Sequence, residues 1–355
     1  MSQITLPAGI DLHVHFREPG FTYKETMESG IKAAHAGGIG TVVDMPNTNP
    51  PASTPSALQN KLEIASHYKG IFLAAGVTDF TIEQSYIAEL RQLTPIFKIF
   101  LAESTGNMRI SPSNFTKALE LLNQQPCFLM LHAEKSDLIK PRTSGSIENV
   151  VRPPKAEIES IQSILALSSK YENIKFHVTH VSTGRAAQLL ADQKEISWDV
   201  LPKYYSFSEE LVNSIGNFAK MNPPLRSKED QAIILDLLQH DKIPMISSDH
   251  APHTKDEKQQ TQSIIAGSPG VQESYLTLID LFVSKQISKQ TMLNLIYENP
   301  KQILNHYGLE PVKGSVIVDT EQNYTFQSND IKSKCNWSLW ENYQFQGKII
   351  EVNYS

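Results

Sequence analysis

The sequence predicts an α/β protein that folds as a (β/α)8, TIM-type barrel with a small β appendage. Short β-rich apolar runs alternate with helical patterns along most of the chain, as in βα units that build a parallel sheet. In such a barrel, chemistry takes place at the carboxyl ends of the strands, so functional residues are expected there. Eight runs occur, at 9–15, 40–46, 71–77, 96–101, 127–133, 175–182, 196–201 and 244–249.

Helix starts between these runs are marked by capping residues and prolines. Thr22-x-x-Glu25 predicts a capping box before a helical apolar pattern. Ser227-x-x-Asp230 precedes apolar residues at helical spacing and predicts a second helix start. The Pro-Pro pair at 153–154 predicts the entry of a third helix.

The chain changes character from about residue 311. Apolar runs at 314–318 and 347–352 contain or follow glycine and are typical of strands outside the barrel. We therefore expect a barrel over 8–310 and a small β appendage made of 1–7 and 311–355.

The composition favours an enzyme that acts on a small molecule. The chain has 355 residues, 40% of them hydrophobic, which is enough for a large core. Its formal net charge is −6 without a basic block, which argues against nucleic acid or an anionic membrane as partner. Cys127 and Cys335 are far apart, which argues against disulfides and a cysteine zinc site. No apolar leader or membrane-length apolar run occurs, so we expect a cytoplasmic protein.

Several of the predicted strands end in residues that bind metals. His13 and His15 are two apart on a strand, so both imidazoles point to the same face. Such a pair alone is more often structural than metal-binding. Further imidazoles and a carboxylate at other strand ends favour metal coordination. Lys98 stands between large apolar residues of its strand, where a bare ammonium would be costly to bury, and by itself such a lysine is more often snorkelling or paired with a carboxylate. These strand-end residues are His132, His177, His180 and Asp249.

The motifs around these residues resemble those of the dihydroorotases in the amidohydrolase superfamily, from residue 9 to about 308. The strand-four segment resembles the branch whose lysine is carbamylated. The motifs are Asp-Leu-His-Val-His-Phe-Arg-Glu-Pro-Gly at 11–20, Met-Pro-Asn-Thr-Asn-Pro-Pro at 45–51, Lys-Ile-Phe-Leu-Ala-Glu-Ser-Thr-Gly-Asn-Met at 98–108, Met-Asn-Pro-Pro-Leu-Arg at 221–226 and Asp-His-Ala-Pro-His at 249–253.

The resemblance implies two divalent metal ions, usually zinc. A carbamate on Lys98 would bridge both ions, since an ammonium beside two cations would be repelled. For strand six the resemblance selects His180 over His177, because the family's ligand directly precedes a Val-Ser pair. The implied ligands are His13, His15 and Asp249 for the more buried ion and His132 and His180 for the more exposed one.

The implied reaction is the reversible closure of N-carbamoyl-L-aspartate to L-dihydroorotate, with loss of water, in pyrimidine synthesis. The two metal ions would lower the pKa of a water and polarise a carbonyl. Asp249 would act as general base and then as general acid. A homodimer and contact with aspartate transcarbamoylase are expectations at the level of the family.

The resemblance also implies that Arg17, Asn47 and His253 bind the substrate carboxylate and that the backbone at Gly267 contacts the ring. Thr105 would reach in from a lid at 104–110. Alternatives remain open at three of these places. Arg17 could form an ion pair with Glu18 or Glu25, Asn47 could be a turn residue, and 104–110 could be an ordinary loop.

The chain departs from the family pattern after strand seven. Lys203 stands where many dihydroorotases have a histidine, which puts a third metal site or substrate contact there in doubt. The short N-terminal region leaves too little chain for the flanking β-sandwich of longer members. Two rival functions are another cyclic amidohydrolase (a hydantoinase, dihydropyrimidinase or allantoinase) and a non-catalytic scaffold for aspartate transcarbamoylase. Arg17 and the complete set of metal-binding residues favour the dihydroorotase.

Overall fold

The computed structural model describes residues 2–103, 108–140, 152–260 and 265–354. Within these ranges no helix is long and apolar enough to cross a bilayer. The strands of the described residues are β1 Gln3–Pro7, β2 Gly9–Val14, β3 Ile39–Asp44, β4 Ile71–Leu73, β5 Ala75–Gly76, β6 Ile96–Phe100, β7 Cys127–His132, β8 Ile174–Val178, β9 Ser197–Val200, β10 Met245–Ile246, β11 Gly314–Thr325 and β12 Gln344–Tyr354.

Strands β2 to β10 form the parallel barrel. β2, β3 and β4 pair in that order, and β5 to β10 form a six-stranded sheet in chain order. β4 and β5 are separated by Ala74 alone and together occupy one strand position of the barrel between β3 and β6. We call each such strand position a stave. A parallel bridge joins Val14 to His250, and the amide of His15 donates to the carbonyl of His250 at 2.8 Å, which links the last stave to the first. The predicted (β/α)8 fold is confirmed.

The barrel strands are apolar over their whole length because both of their faces are covered. β2, β3, β6 and β7 are buried at every residue, as expected for a parallel sheet between a filled interior and a layer of helices. Ile96 lies on the same strand face as Lys98, and Met130 lies on the same face as His132. Ile96 and Met130 belong to one apolar cluster. Apolar side chains therefore pack next to Lys98 and His132 along the same strand faces.

Helices follow the strands. The helices of the described residues are α1 Met27–Ala36, α2 Pro55–Ala65, α3 Asp79–Glu83, α4 Ile87–Leu93, α5 Pro112–Leu122, α6 Pro154–Ser168, α7 Gly184–Ala191, α8 Pro202–Ser206, α9 Leu211–Ile215, α10 Lys228–Gln239, α11 Lys255–Gln259, α12 Ser274–Val283, α13 Lys289–Leu293 and α14 Asn299–His306. Single turns of 3-10 helix lie at Ser136–Leu138, Gly216–Ala219 and Ser328–Asp330, and a π-helical turn lies at Asn294–Glu298.

Two predicted helix starts are confirmed and one is wrong. Ser227 caps α10, and α6 begins at Pro154. The predicted capping box of Thr22 and Glu25 does not form, because α1 begins four residues later with Thr26 as its cap. The carboxylate of Glu25 is used for tertiary contacts instead, which a local motif cannot reveal.

The two ends of the chain form a separate antiparallel sheet in the order β1-β11-β12. Both predicted tail strands are present and are longer than expected, at Gly314–Thr325 and Gln344–Tyr354. The segment between them, which we call the tail loop (326–343), packs against the barrel. Its Trp337 indole donates to the carbonyl of His253 at 2.7 Å. The tail therefore reaches the strand-end side of the barrel.

Candidate active site

The carboxyl end of β2 meets the segment after β10. His15 Nε2 lies 3.0 Å and His13 Nε2 lies 3.4 Å from the same carboxylate oxygen, Oδ1 of Asp249. All three residues are buried, and their ligand atoms lie within 4.8 Å of one another. This is the spacing of side chains that can share one metal ion.

A second pair of imidazoles lies next to this group. Nδ1 of His132, at the end of β7, is 3.1 Å from Nε2 of His180, which follows β8. The rings of His13 and His180 are 5.3 Å apart between centroids. The structure thus brings the five predicted imidazole and carboxylate groups into one cluster.

Lys98, on β6, completes this cluster. Its Nζ donates to the hydroxyl of Thr179 at 2.9 Å, and the same hydroxyl oxygen is 3.2 Å from Nε2 of His180. Its charge acts on the imidazoles of His13, His132 and His180. Among the described residues, no carboxylate forms a direct salt bridge with Lys98, and its ammonium faces the histidines of both groups.

Burial controls the protonation of the cluster. It lowers the pKa of His15 to about 4 and the pKa of Lys98 to about 7. Burial and the Lys98 charge hold the pKa of His13 well below its ordinary value. Burial would raise the pKa of Asp249, but the neighbouring His13 and His15 outweigh it and hold that pKa well below its usual range. Neutral imidazoles therefore face an ionised carboxylate at neutral pH.

These donors fit divalent metal ions. Imidazole nitrogen and carboxylate oxygen are ligands that zinc takes when the imidazole is neutral. Nδ1 of His13, His15 and His180 is buried, and no described residue hydrogen-bonds to it. Buried imidazole nitrogens without partners are costly in a protein interior, and a bound cation would remove part of that cost.

Two buried carboxylates orient the histidines, and sequence reasoning missed both. Glu134 accepts from His132 Nε2 at 2.8 Å and also pairs with Arg152. Burial would raise the pKa of Glu134, but Arg152 and His132 hold it far below its usual value. Glu134 is two residues beyond His132. Alternate residues of a strand point to the same face, so this spacing could have indicated that Glu134 lies beside His132.

The second of these carboxylates, Asp199 on β9, also explains the difference between the two histidines near the end of β8. Asp199 accepts from the backbone amide of His180 at 2.7 Å and contacts Nε2 of His177 at 2.8 Å. Nδ1 of His177 is 3.0 Å from the hydroxyl of Ser197. His177 therefore has both ring nitrogens engaged away from the cluster, whereas His180 lies within it.

A cavity opens above the cluster. Arg17, Asn47 and Gly267 line its wall together with the clustered histidines and Asp249. Thr105 and most of the predicted lid lie outside the described residues. The remaining wall is formed by Phe100, Asn222, Ala251 and Ala266.

Arg17 is held by the segment after β10. Its Nε donates to the carbonyl of Pro252 at 3.2 Å, and Nη2 is 3.2 Å from Nε2 of His253. Both carboxylates that could have paired with Arg17 have other partners. Glu18 accepts from the amide of Met27 at 2.8 Å, and Glu25 contacts His250 at 3.3 Å. The guanidinium is therefore positioned at the cavity wall by a carbonyl and an imidazole.

His253 is buried behind Arg17. Its Nδ1 is 3.2 Å from the ammonium of Lys24, which pairs with Glu257 at 2.9 Å. Burial lowers the pKa of His253 to about 3. The imidazole is thus neutral and lies between the guanidinium of Arg17 and the ion pair of Lys24 with Glu257.

The loop after β10 approaches the cavity closely at Gly267. This residue has φ of 135°, and an added Cβ would lie 2.6 Å from the carbonyl oxygen of Ala251. Glycine is therefore required here, both for its conformation and for space. The close approach presents backbone rather than a side chain to the cavity.

Lys203, in the first turn of α8, does not face the cavity. Its ammonium donates to the carbonyls of Asp249 and Ser268, both at 3.0 Å. The position at which the resemblance led us to expect a histidine is thus used here for backbone contacts.

Comparisons with known proteins agree with this geometry. The model of the amidohydrolase family matches residues 4–269. A dihydroorotase from Methanosarcina mazei is 32% identical, with 95% of this chain and 80% of the relative covered. A dihydroorotase from Halobacterium salinarum is 30% identical over 95% of this chain and 82% of the relative.

Solved structures show the same fold. The L-hydantoinase from Arthrobacter aurescens has a TM-score of 0.89 at 20% identity, covering 99% of this chain and 84% of its own. The dihydropyrimidinase from Brevibacillus agri has a TM-score of 0.85 at 21% identity, with the same coverage of 99% and 84%. At such identities the likeness concerns the fold alone.

Proposed function

The chain belongs to the amidohydrolase family, and from that premise we propose that it works as a dihydroorotase, interconverting N-carbamoyl-L-aspartate and L-dihydroorotate. Relatives named dihydroorotase match it at 30% identity or more over nearly its whole length. The observation in the structure that supports this substrate best is Arg17, which lies two residues beyond His15 at the cavity wall, next to His253. A guanidinium at that place suits a ring that carries a carboxylate.

The family is metal-dependent, and His13, His15 and Asp249 form a group that can hold an ion. We propose two divalent ions, of zinc by family expectation, with His132 and His180 at the second ion and a carbamate on Lys98 between them. Bound ions of this kind supply Lewis acidity, which lowers the pKa of water and polarises a carbonyl group. The neutral imidazoles and the central place of Lys98 support this assignment.

Asp249 is the residue proposed to move the proton. During ring opening its carboxylate accepts a proton from the attacking water as the new carbon–oxygen bond forms. When the ring carbon–nitrogen bond breaks, the same carboxyl returns the proton to the departing amide nitrogen. Ring closure runs through these steps in reverse. The low pKa of Asp249 keeps the carboxylate ionised at the start.

The substrate carboxylate is proposed to bind to Arg17, Asn47 and His253, and the ring to the backbone at Gly267. Arg17 and Gly267 face one cavity from opposite segments, the end of β2 and the loop after β10. Thr105 is proposed as a further contact on the strength of the sequence resemblance. The barrel of 8–310 would then carry all of these residues, with 1–7 and 311–355 as its appendage.

Three further expectations remain predictions from the sequence. They are a homodimer, contact with aspartate transcarbamoylase and a place in the cytoplasm. Measurement of the mass in solution, with and without the transcarbamoylase, would test the first two.

The proposed substrate is tested by comparing ring opening of dihydroorotate, hydantoin and allantoin with wild type and Arg17→Met. We expect wild type to prefer dihydroorotate. The loss of a charge-assisted hydrogen bond is expected to lower kcat/KM for dihydroorotate about 10- to 100-fold. Arg185→Met is the control, because Arg185 is exposed on α7 and does not line the cavity. A wild-type preference for a ring without a carboxylate would overturn the proposal.

A further inference from the structure

Lys203 is a buried cation that the proposed mechanism does not use. It lies in the turn that follows β9 and is 1% exposed. An ammonium in such a place is costly unless its protons meet acceptors. Its two acceptors are therefore informative about why a lysine is present.

The acceptors of Lys203 belong to two different parts of the site. One is the carbonyl of Asp249 and the other is the carbonyl of Ser268, both at 3.0 Å. The Ser268 carbonyl also accepts from the amide of Ala251 at 3.0 Å. Lys203 thus connects the end of the last barrel stave to the loop of residues 265–270, which we call the ring loop.

A second buried lysine holds the ring loop without contacting Asp249. Lys258, in α11, donates to the carbonyls of Ile265 at 3.0 Å and Gly267 at 2.8 Å. Its third acceptor is the carbonyl of Lys220, at 3.0 Å. The adjacent carbonyls of Gly267 and Ser268 are therefore held by different lysines, and only Lys203 also touches Asp249.

We propose that Lys203 is a positioning residue that sets the backbone of Asp249 relative to the ring loop, whereas Lys258 holds the ring loop without contacting Asp249. The proposal rests on the function assigned above, since it treats Asp249 as the proton carrier and Gly267 as a substrate contact. Asp249 has φ of 41°, a conformation that persists only where the surroundings hold it. The ammonium of Lys203 is one of the groups that hold it.

This division of roles predicts different kinetic changes for the two lysines. In Lys203→Met the backbone of Asp249 loses a hydrogen bond, so its carboxylate shifts from the position in which it transfers the proton. We expect kcat to fall about 100-fold, as is typical when a catalytic group is misplaced. In Lys258→Met the ring loop loosens while Asp249 keeps its contact. We expect KM for dihydroorotate to rise about tenfold, with kcat changed less than about threefold, as for the loss of hydrogen bonds used in binding.

The experiment measures kcat and KM of both variants, with metal content and thermal melting as checks of folding. A low kcat in Lys203→Met combined with a high KM in Lys258→Met supports the proposal. The same pattern in both variants, or an unchanged kcat in Lys203→Met, overturns it. If wild type proves to act on another cyclic amide, the substrate assignment fails, and the same comparison on that amide still decides the role of Lys203.

Gly270→Ala gives a test that leaves Lys203 in the chain. An added Cβ at Gly270 would lie 3.0 Å from Cε and 3.3 Å from Nζ of Lys203, and 3.3 Å from the carbonyl oxygen of Ser248. Because the end of a lysine side chain yields more easily than backbone, the ammonium is pushed away from its acceptors. We expect kcat to fall at least about fivefold, with KM nearly unchanged, since one weakened hydrogen bond is worth about 1 kcal/mol. This variant decides the matter if Lys203→Met does not fold, and a wild-type kcat would then overturn the proposal.

Discussion

Three site residues hold backbone conformations that L-amino acids seldom adopt. Arg17, His180 and Asp249 have φ of 59°, 45° and 41°. Each such residue costs on the order of 1–3 kcal/mol and persists where the surrounding structure enforces it. All three lie just beyond a barrel strand and line one cavity. The strain is therefore concentrated where side chains must turn from the strand direction into the site.

At the residue scale, Glu134 is expected to govern metal affinity through His132. Glu134→Gln keeps an oxygen that can accept from the imidazole but removes the negative charge that balances Arg152 and strengthens the hydrogen bond. Carboxylates that orient a metal-binding histidine typically contribute 10- to 100-fold to affinity. We expect a loss of that size in the dissociation constant for zinc, measured by competition with a chelator.

The control for Glu134→Gln is Glu159→Gln. Glu159 pairs with Lys135 at 3.0 Å near the surface, where ion pairs contribute little. Equal zinc affinities in the two variants would show that Glu134 does not act on the metal site.

His253 is expected to make stability depend on pH. Its pKa is about 3 in the folded protein, below the ordinary value of 6.5, so the unfolded chain binds more protons between these values. Stability therefore falls as pH drops below 6.5. Between pH 7 and pH 5 this histidine should cost about 2 kcal/mol of unfolding free energy, and His253→Gln should lose less than wild type by that amount.

Urea unfolding at the two pH values measures this difference. His67→Gln is the control, since it replaces a histidine that is exposed. If His253→Gln and wild type lose equal stability on acidification, His253 is not the neutral buried group described above.

At the scale of elements, the tail loop of 326–343 packs against the mouth of the barrel. The amide of Lys334 donates to the Glu25 carboxylate at 3.0 Å, and Ser333 donates to the same carboxylate. Glu25 in turn contacts His250, the residue after Asp249. Glu25, which is more than 300 positions from the tail loop in the chain, thus links the tail loop to the segment that carries the proposed proton carrier.

Trp337→Phe tests the contribution of the tail loop. The change removes the hydrogen bond to the carbonyl of His253 and leaves that buried oxygen without its indole donor, which costs about 1–3 kcal/mol. We expect a lower unfolding free energy in urea and a higher KM for dihydroorotate, because His253 is proposed to bind its carboxylate.

Trp340→Phe is the matched control for this prediction. Trp340 is buried to a similar extent, but no described residue accepts a hydrogen bond from its indole nitrogen. The two variants remove the same ring atoms and differ in one hydrogen bond. Equal stability and equal KM would mean that the bond from Trp337 has no effect on His253.

At the scale of the whole molecule, the site joins strands that are far apart in the sequence. The clustered side chains come from β2, β6 and β7 and from the segments after β8 and β10. A cation bound among them would cross-link the first and last staves, where the barrel is joined by a short bridge. Metal binding should therefore stabilise the folded state as a whole.

Removal of metal is expected to lower the melting temperature. An ion at about a thousand times its dissociation constant adds about 4 kcal/mol to the folded state, which for a chain of this size corresponds to a shift of roughly 5–10 °C. Differential scanning calorimetry with and without a chelator, followed by zinc addition, measures it. His15→Ala should show a much smaller shift, and no shift in wild type would contradict a metal site that links the staves.

The sequence by itself determined the fold class and most of the cluster. Alternating apolar runs and helical patterns depend on neighbours along the chain, so the strands, the tail strands and the starts of α6 and α10 could be predicted. His13 and His15 could be paired because strand geometry fixes their common facing. Family motifs then identified the remaining candidates.

Only the tertiary structure decided which partners these residues have. Glu25 serves His250 and the tail loop instead of capping a helix, and Lys203 holds two carbonyls instead of facing the cavity. Such contacts join positions tens to hundreds of residues apart, and no local pattern encodes the distance between them. A charged group buried by folding must find its partner in space, and that partner is decided by how the whole barrel packs.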